Sequence, residues 1–339
     1  MRIGSNPNKS INQNKSEYNH QIIIPVYIPN GEGYFKDGLK ILMLCLESLI
    51  NTTHDKTYIT IVNNGSSKEV VEYLDQLFLE IKINELIHTD NIGKVNAVFK
   101  GLAGNNIELV TIADSDVLFL PNWQSETLNV FKHFSRAGVV GVTPQFKMYE
   151  ANCSNVIFEN FFNKNLKFIP IKNKKALIYF YDSIGWDRNY NQDYLNFGLG
   201  LENENFQCFV GAGHYVATYK KDIFEDIKTY IGGKKVSGVG EAYIDKKALE
   251  KGYWRLTTQD NFAYHMGNIL EPWMEVALNN LENTPNIALE LTSQNSFRKI
   301  SKFEFFIKNK LFSKLFSIKL FKKLFYKYKK LPKEMIPNY

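Results

Sequence analysis

Apolar and polar positions fall into two alternating rhythms over the first half of the chain. The run QIIIPVYIP (21–29) is almost continuously apolar, as in a strand buried on both faces, and prolines mark the loop it enters. GLKILMLCLESLI (38–50) returns its apolar residues at helical spacing. TYITIVNNGS (57–66) is a second strand, stopped by the turn signal Asn63-Asn64-Gly65-Ser66. A helix over 68–81 follows, then a short strand, a loop and a helix over 85–102. ELVTIADSDVLFL (108–120) reads as the next strand, 122–137 as a helix and 138–146 as a strand. Apolar strands that alternate with helices predict an α/β fold, a mostly parallel sheet flanked by helices in the Rossmann manner. Such sheets bind ligands beyond the carboxyl ends of their strands, so the polar tips at 63–66, 91–94 and 114–116 are expected to converge on one crevice.

The rhythm weakens over 150–210, which is rich in aromatics and Asn. It returns as strand then helix over 213–227, a helix over 240–253 capped by Gly252, and a strand over 254–268 ending in His-x-Gly.

Composition narrows the class. Three cysteines, at 45, 153 and 208, form no CxxC and no Cys/His cluster, which argues against a disulfide framework or a zinc site and fits a reducing, cytoplasmic compartment. No stretch of eighteen uncharged apolar residues occurs, so no membrane-spanning helix is expected. Residues 1–20 are polar, lack the apolar middle of a signal peptide, and read as a mobile leader. The net charge of +6 conceals an asymmetry: 296–339 holds thirteen Lys/Arg against two Asp/Glu, a net +11, which leaves −5 for 1–295. A mildly acidic body therefore carries a basic tail that is directed at a surface.

The chemistry concentrates in VTIADSDVLFLPNW, where a buried strand runs into Asp114 and Asp116. Carboxylates there are costly to desolvate and repel each other. A divalent cation with a preference for oxygen removes both costs, and magnesium or manganese is commonly held by one or two carboxylates plus substrate phosphates. The spacing alone is equally that of two acids capping the next segment.

The ordered set IIIPVY, IVNNGS, NIGKVNA, ADSDV…LPNW, GVVGV, GEAYIDKKALEKGY and YHMG resembles a family 2 glycosyltransferase with the GT-A fold, over about residues 21–268. The resemblance implies a nucleotide-diphosphate sugar donor and Mn2+ or Mg2+ on its pyrophosphate. It makes Asp116 the direct metal ligand, Asp114 a contact to the ribose or to the metal, and His265 a further metal ligand. It puts Pro25 and Tyr27 in the nucleoside pocket, with Asn63 standing where an aspartate often meets the base. Asn91 precedes Lys94, which could reach a phosphate or could be an exposed lysine at a helix start. The family's general base falls at Glu241, with Asp245 one turn on as the fallback; both could instead be solvated acids complementing the helix dipole. Trp186, Asp187 and His214 lie where acceptor loops belong, although Trp186 could equally be core. The organisation implied is a catalytic domain over 21–275, nucleotide-binding over 21–146 and acceptor-binding over 147–275, followed by a helical basic tail over 276–339.

Within that tail KLF recurs at 310, 314, 319 and 323. Spacings of four, five and four do not keep one helical face. Lysine interleaved with Leu and Phe suits an anionic bilayer, nucleic acid would attract the same charge, and packing on the catalytic domain is a third reading. Nothing else here reads as a nucleic-acid module. The resulting expectation is a metal-dependent, inverting transferase of cell-surface polysaccharide assembly. It would be peripheral on the inner face of the plasma membrane and would act on a saccharide or lipid-linked saccharide acceptor. A retaining transferase on the same fold, or a non-catalytic sugar- or nucleotide-binding module, stays open.

Overall fold

A computed structural model describes residues 16–225, 238–281 and 300–339, with the side chains of 238–243 left out. β1 (His20–Val26), β2 (Thr57–Asn64), β3 (Glu85–Thr89) and β4 (Leu109–Ala113) make an all-parallel half-sheet in the order β3-β2-β1-β4. Successive side chains of β1 point to opposite faces. Ile22 and Ile24 pack with Ile41, Leu42 and Leu46 of α1 (Gly38–Thr52), while Ile23 packs with Ala97 and Val98 of α3 (Lys94–Leu102). α2 (Lys68–Leu79) adds Val70, Leu74 and Leu77 to the α1 side. Both faces being covered is why these strands read as unbroken apolar runs.

The expected strand over 108–120 is two strands. β4 stops at Ala113, the chain turns through Asp114-Ser115-Asp116, and β5 (Val117–Phe119) joins a separate two-stranded sheet. α4 (Trp123–His133) and β6 (Ala137–Gly141) follow. The aromatic region holds more structure than its weak rhythm suggests: α5 (Ser154–Glu159), β7 (Leu166–Pro170), α6 (Lys174–Ser183), β8 (Phe197–Asn203) and β9 (Phe206–Val210). β10 (Val216–Lys220), α7 (Gly238–Glu250), β11 (Trp254–Thr258), β12 (Ala263–His265) and α8 (Pro272–Asn279) close the domain. The large sheet has the order β3-β2-β1-β4-β10-β6-β11-β9-β8-β7, and all but β10, β9 and β7 run in one direction. This is the expected α/β architecture, a mostly parallel sheet between helices. No helix among the described residues is long and apolar enough to cross a membrane.

The first and last described residues are tied to this body. Residues 1–15 of the expected leader lie outside the described residues, but Asn19 N already donates to Lys56 O at 3.1 Å and His20 opens β1. Residues 282–299 of the tail lie outside as well. From 300 on, α9 (Lys302–Phe306), a π turn, α10 (Phe312–Phe316) and α11 (Lys319–Tyr328) pack on the domain. Ile318 is extended between α10 and α11 and resets the helical phase. That break lets Phe312, Phe316 and Phe325 reach one core despite their uneven spacing. Of the three readings of the tail, packing describes its inner face.

His20 carries a stability prediction. It is 1% exposed, with Nδ1 2.9 Å from Gln124 Nε2 and Nε2 2.7 Å from Thr111 Oγ1. Gln124 Nε2 can only donate, so the ring proton sits on Nε2 and points at Thr111. Burial, reinforced by the neighbouring His54, lowers the imidazole to about 3. The folded value lies below the unfolded one, so the associated stability is complete above about pH 6.5 and drains as pH falls towards 3. Urea titrations below pH 6 should show about 1.4 kcal/mol per pH unit more loss in wild type than in His20→Gln. Identical slopes would contradict this assignment.

Candidate active site

The three polar tips do meet at one end of the parallel half-sheet. Gly65, at φ +89°, lies so close to the next loop that a Cβ would sit 2.9 Å from Asn91 N. Only glycine allows that approach with that backbone. Asn64 Oδ1 accepts from Ile92 N at 2.9 Å, and Asn91 Oδ1 accepts from Gly93 N at 3.1 Å. These bonds fix the loop that opens α3 and present Lys94, whose Nζ lies 2.5 Å from Asp114 Oδ1. Asp114 is itself pinned, its N donating to Tyr215 O at 2.7 Å.

The cleft above these groups is lined by Pro25, Tyr27, Asn91, Lys94, Asp114 and Asp116. Asn63 is absent from that lining. Its Oδ1 accepts from Ser66 N at 3.0 Å, and its Nδ2 lies 2.9 Å from His88 Nδ1, so both ends of the amide are engaged away from the cleft. Neighbours on a strand face opposite ways, and here Asn64 is the one that lines the cleft. Tyr34, Phe35 and Asn268 also line it. Tyr27 meets Phe35 edge-on at 5.9 Å, and Phe35 meets Tyr34 at 5.1 Å, making an aromatic wall of half-exposed rings. The turn-rich string NGEGYFKDG (30–38) was the available signal for Tyr34 and Phe35, but its glycines read only as a loop.

Asp116 and His265 form the second part of the site. β12 pairs with β5 so that His265 stands opposite Val117, and Met266 N donates to Asp116 O at 2.8 Å. His265 Nε2 is 3.5 Å from Asp116 Oδ2, while Nδ1 is held by Ser183 Oγ at 2.9 Å. A partner on one ring nitrogen orients the other, as outer-shell contacts do for metal-ligating histidines. Asp116 Oδ1 is buried with no hydrogen-bond partner among the described residues. Burial raises the Asp116 carboxyl to about 6, with His265 opposing and Asp114 adding to the rise. An orphaned carboxylate oxygen beside an oriented imidazole fits one small divalent cation. No group of three His, Cys, Asp or Glu residues converges among the described residues, so two protein ligands would leave most positions to donor oxygens and water. Asp114 is turned towards Lys94 rather than towards this pair.

The acceptor-side candidates separate. Trp186 is 55% exposed and lies 5.0 Å from Tyr181, in a loop where Asp187 is exposed too. His214 stands elsewhere, beside Tyr215 and α7. Asp245 is 1% exposed and pairs with Arg255, itself 2% exposed; His214 Nδ1 lies 3.2 Å from its other oxygen. Arg255 also donates to Ala212 O at 2.7 Å. Asp245 is thus engaged in a buried ion pair that holds α7 to β11. The side chain of Glu241 lies outside the described residues; its backbone is one turn before Asp245 on α7. Arg255→Met removes the guanidinium from the buried Asp245 carboxylate and is expected to cost about 3–5 kcal/mol. Chemical denaturation measures it, and a loss under 1 kcal/mol would show that the pair does not hold the helix.

The family model described as Glycosyl transferase family 2 matches residues 22–195, just over half of the chain. No curated protein matches. Among solved structures, residues 1–349 of TarS from S. aureus share 13% identity at a TM-score of 0.43, covering 73% of this chain and 60% of that one. The mannosyltransferase PcManGT from Pyrobaculum calidifontis, in complex with GDP-Man and Mn2+, shares 15% identity at a TM-score of 0.44, covering 73% and 56%. TarS 1–349 in complex with UDP gives 12% and 0.43, covering 78% and 64%. This chain spans less than two thirds of each of these structures.

Proposed function

Because the chain belongs to glycosyl transferase family 2, we propose that it moves a sugar from a nucleotide-diphosphate donor to a saccharide or lipid-linked saccharide acceptor. We place that transfer in the assembly of a cell-surface polysaccharide. The observation that carries the reading is the convergence of an aromatic wall, Lys94 and Asp116 on one cleft, with His265 behind Asp116 at 3.5 Å. Tyr27 and Phe35 offer apolar ring surface to the nucleoside, and Asn64 and Asn91 offer amide groups at its edge. Lys94, already on a carboxylate, brings a cation to the phosphates. Asp116 and His265 would hold Mn2+ or Mg2+, which when bound supplies positive charge against the leaving diphosphate.

The transfer is read as inverting. The acceptor oxygen attacks the anomeric carbon from the face opposite the diphosphate, whose oxygen keeps the bonding electrons, and the hydroxyl proton passes to a carboxylate. Asp245 is a poor recipient because it is buried against Arg255, which leaves Glu241, one turn earlier, as the proposed base. Trp186, Asp187 and His214 are proposed to meet the acceptor, Trp186 through its exposed ring.

A thermal-shift panel of UDP-, GDP-, dTDP- and CMP-sugars, each with Mn2+, tests this. One of the three diphosphate donors is expected to stabilise the protein, by the mass action of a ligand that binds only the folded state, and the monophosphate CMP-sugars are not. No shift with any donor would contradict the reading. A shift without release of free nucleoside diphosphate would favour a binding module.

A further inference from the structure

The inner face of the tail is core, and its outer face exposes a second set of apolar side chains. Of the twenty large apolar side chains exposed among the described residues, eight fall within 303–328. At 100° per residue, Leu320, Leu324, Lys327 and Tyr328 share an arc of about 100° on α11. Leu320 is 69% exposed, Leu324 59% and Tyr328 52%. Phe325, Tyr326 and Lys329 occupy the opposite, buried side. The helix is therefore apolar on two faces, with Lys319 and Lys323 along one edge between them.

Charge separates the candidate partners. Lys319, Lys323 and Lys327 make no ion pair among the described residues, whereas Lys322 and Lys147 are both held by Glu150, at 3.0 and 3.2 Å. Lys147, Lys319, Lys322 and Lys323 line one pocket beside this face. A row of exposed leucines bordered by unpaired lysines is complementary to a bilayer interface that carries anionic headgroups: the apolar groups dip into the acyl boundary and the ammonium groups meet phosphates. A nucleic acid would use the lysines and leave the leucines with no apolar contact. We propose that the outer face of α10–α11 is a docking surface for an anionic phospholipid bilayer, with the lysine pocket at 147 and 319–323 receiving headgroup phosphate. Lys147 Nζ bonds Tyr339 O at 3.1 Å and lies 5.2 Å from the Tyr194 ring, whose neighbour Phe146 stacks on Tyr181.

The test is sedimentation of the full chain with vesicles of phosphatidylcholine alone or mixed with phosphatidylglycerol. Binding is expected to the mixed vesicles only and to weaken with added salt. The triple variant Lys319→Glu, Lys323→Glu, Lys327→Glu should bind about 100-fold more weakly, since each basic residue contributes roughly a fivefold factor. Leu320→Ser with Leu324→Ser should lose about tenfold or more. All these positions face solvent or the pocket rim, so both variants should keep the wild-type unfolding midpoint and nucleotide binding, which separates this proposal from the transferase reading. Equal sedimentation with and without phosphatidylglycerol, or wild-type binding by either variant, would overturn it. So would a wild-type dimer that both variants convert to monomer, because the face would then be covered by a second copy.

Discussion

A chain ending at residue 299 is expected not to fold. Phe312, Phe316, Phe325, Tyr326, Leu331 and Tyr339 are each less than one tenth exposed and share a core with Phe131, Val140 and Leu256. Burying a large apolar side chain contributes about 1.5–3 kcal/mol, so six give on the order of 10 kcal/mol before discounting for a compact unfolded chain. That is comparable to the whole stability of a typical domain. Polar anchors would be lost with them: Lys329 O accepts from Phe168 N at 2.8 Å, and Tyr339 Oη donates to Phe197 O at 2.6 Å. Lys329 Nζ, its amine lowered to about 8 by burial, bonds Asn163 O at 2.9 Å. The truncated protein should lose near-UV dichroism and bind a hydrophobic dye. In the full chain, Phe325→Ala should cost about 3–5 kcal/mol by urea denaturation. A truncated chain that melts cooperatively at the wild-type midpoint would show that the tail is an appendage.

That coupling explains what the sequence could and could not convey. The β–α alternation of 21–146 was legible because strands covered on both faces must be apolar throughout. The hairpin β8–β9 was not, for two local reasons. Its turn residues Glu204 and Asn205 take positive φ, 49° and 67°, without a glycine to signal it. Gly198 and Gly200 read as breakers, yet they are needed inside β8: a Cβ would lie 2.9 Å from Phe209 Cδ1 and 2.4 Å from Ile169 Cδ1. The tail's uneven KLF spacing looked incompatible with one face because nothing in the string announces the extended Ile318. At the site, the turn chemistry of Asn-Asn-Gly-Ser and the acids of Asp-Ser-Asp located the cleft. The parity that turns Asn64 inwards and Asn63 away depends on where β2 ends, which periodicity fixes only to within a residue or two.

Asp116→Asn should lower kcat/KM for sugar transfer by about a thousandfold or more, about 4 kcal/mol of lost transition-state stabilisation. The substitution keeps the size of the side chain and removes its charge. Among the described residues, Asp116 has a buried carboxylate oxygen with no hydrogen-bond partner, and burial has raised its proton affinity. An amide satisfies the same space, so the unfolding midpoint should stay or rise while activity falls. That opposite movement of stability and rate distinguishes a functional acid from a structural one. His265→Gln should act in the same direction but more weakly, since Ser183 would no longer orient a ring nitrogen. An Asp116→Asn enzyme within tenfold of wild type would remove this residue from the mechanism.

The most direct test is calorimetric titration of UDP, GDP and dTDP into the full chain, first with Mn2+ and then with EDTA. One of these nucleotides is expected to bind with Mn2+, EDTA to weaken it by at least tenfold, and Asp116→Asn to bind equally weakly in both conditions. Equal affinity with and without the metal, for wild type, would contradict a cation held by Asp116 and His265.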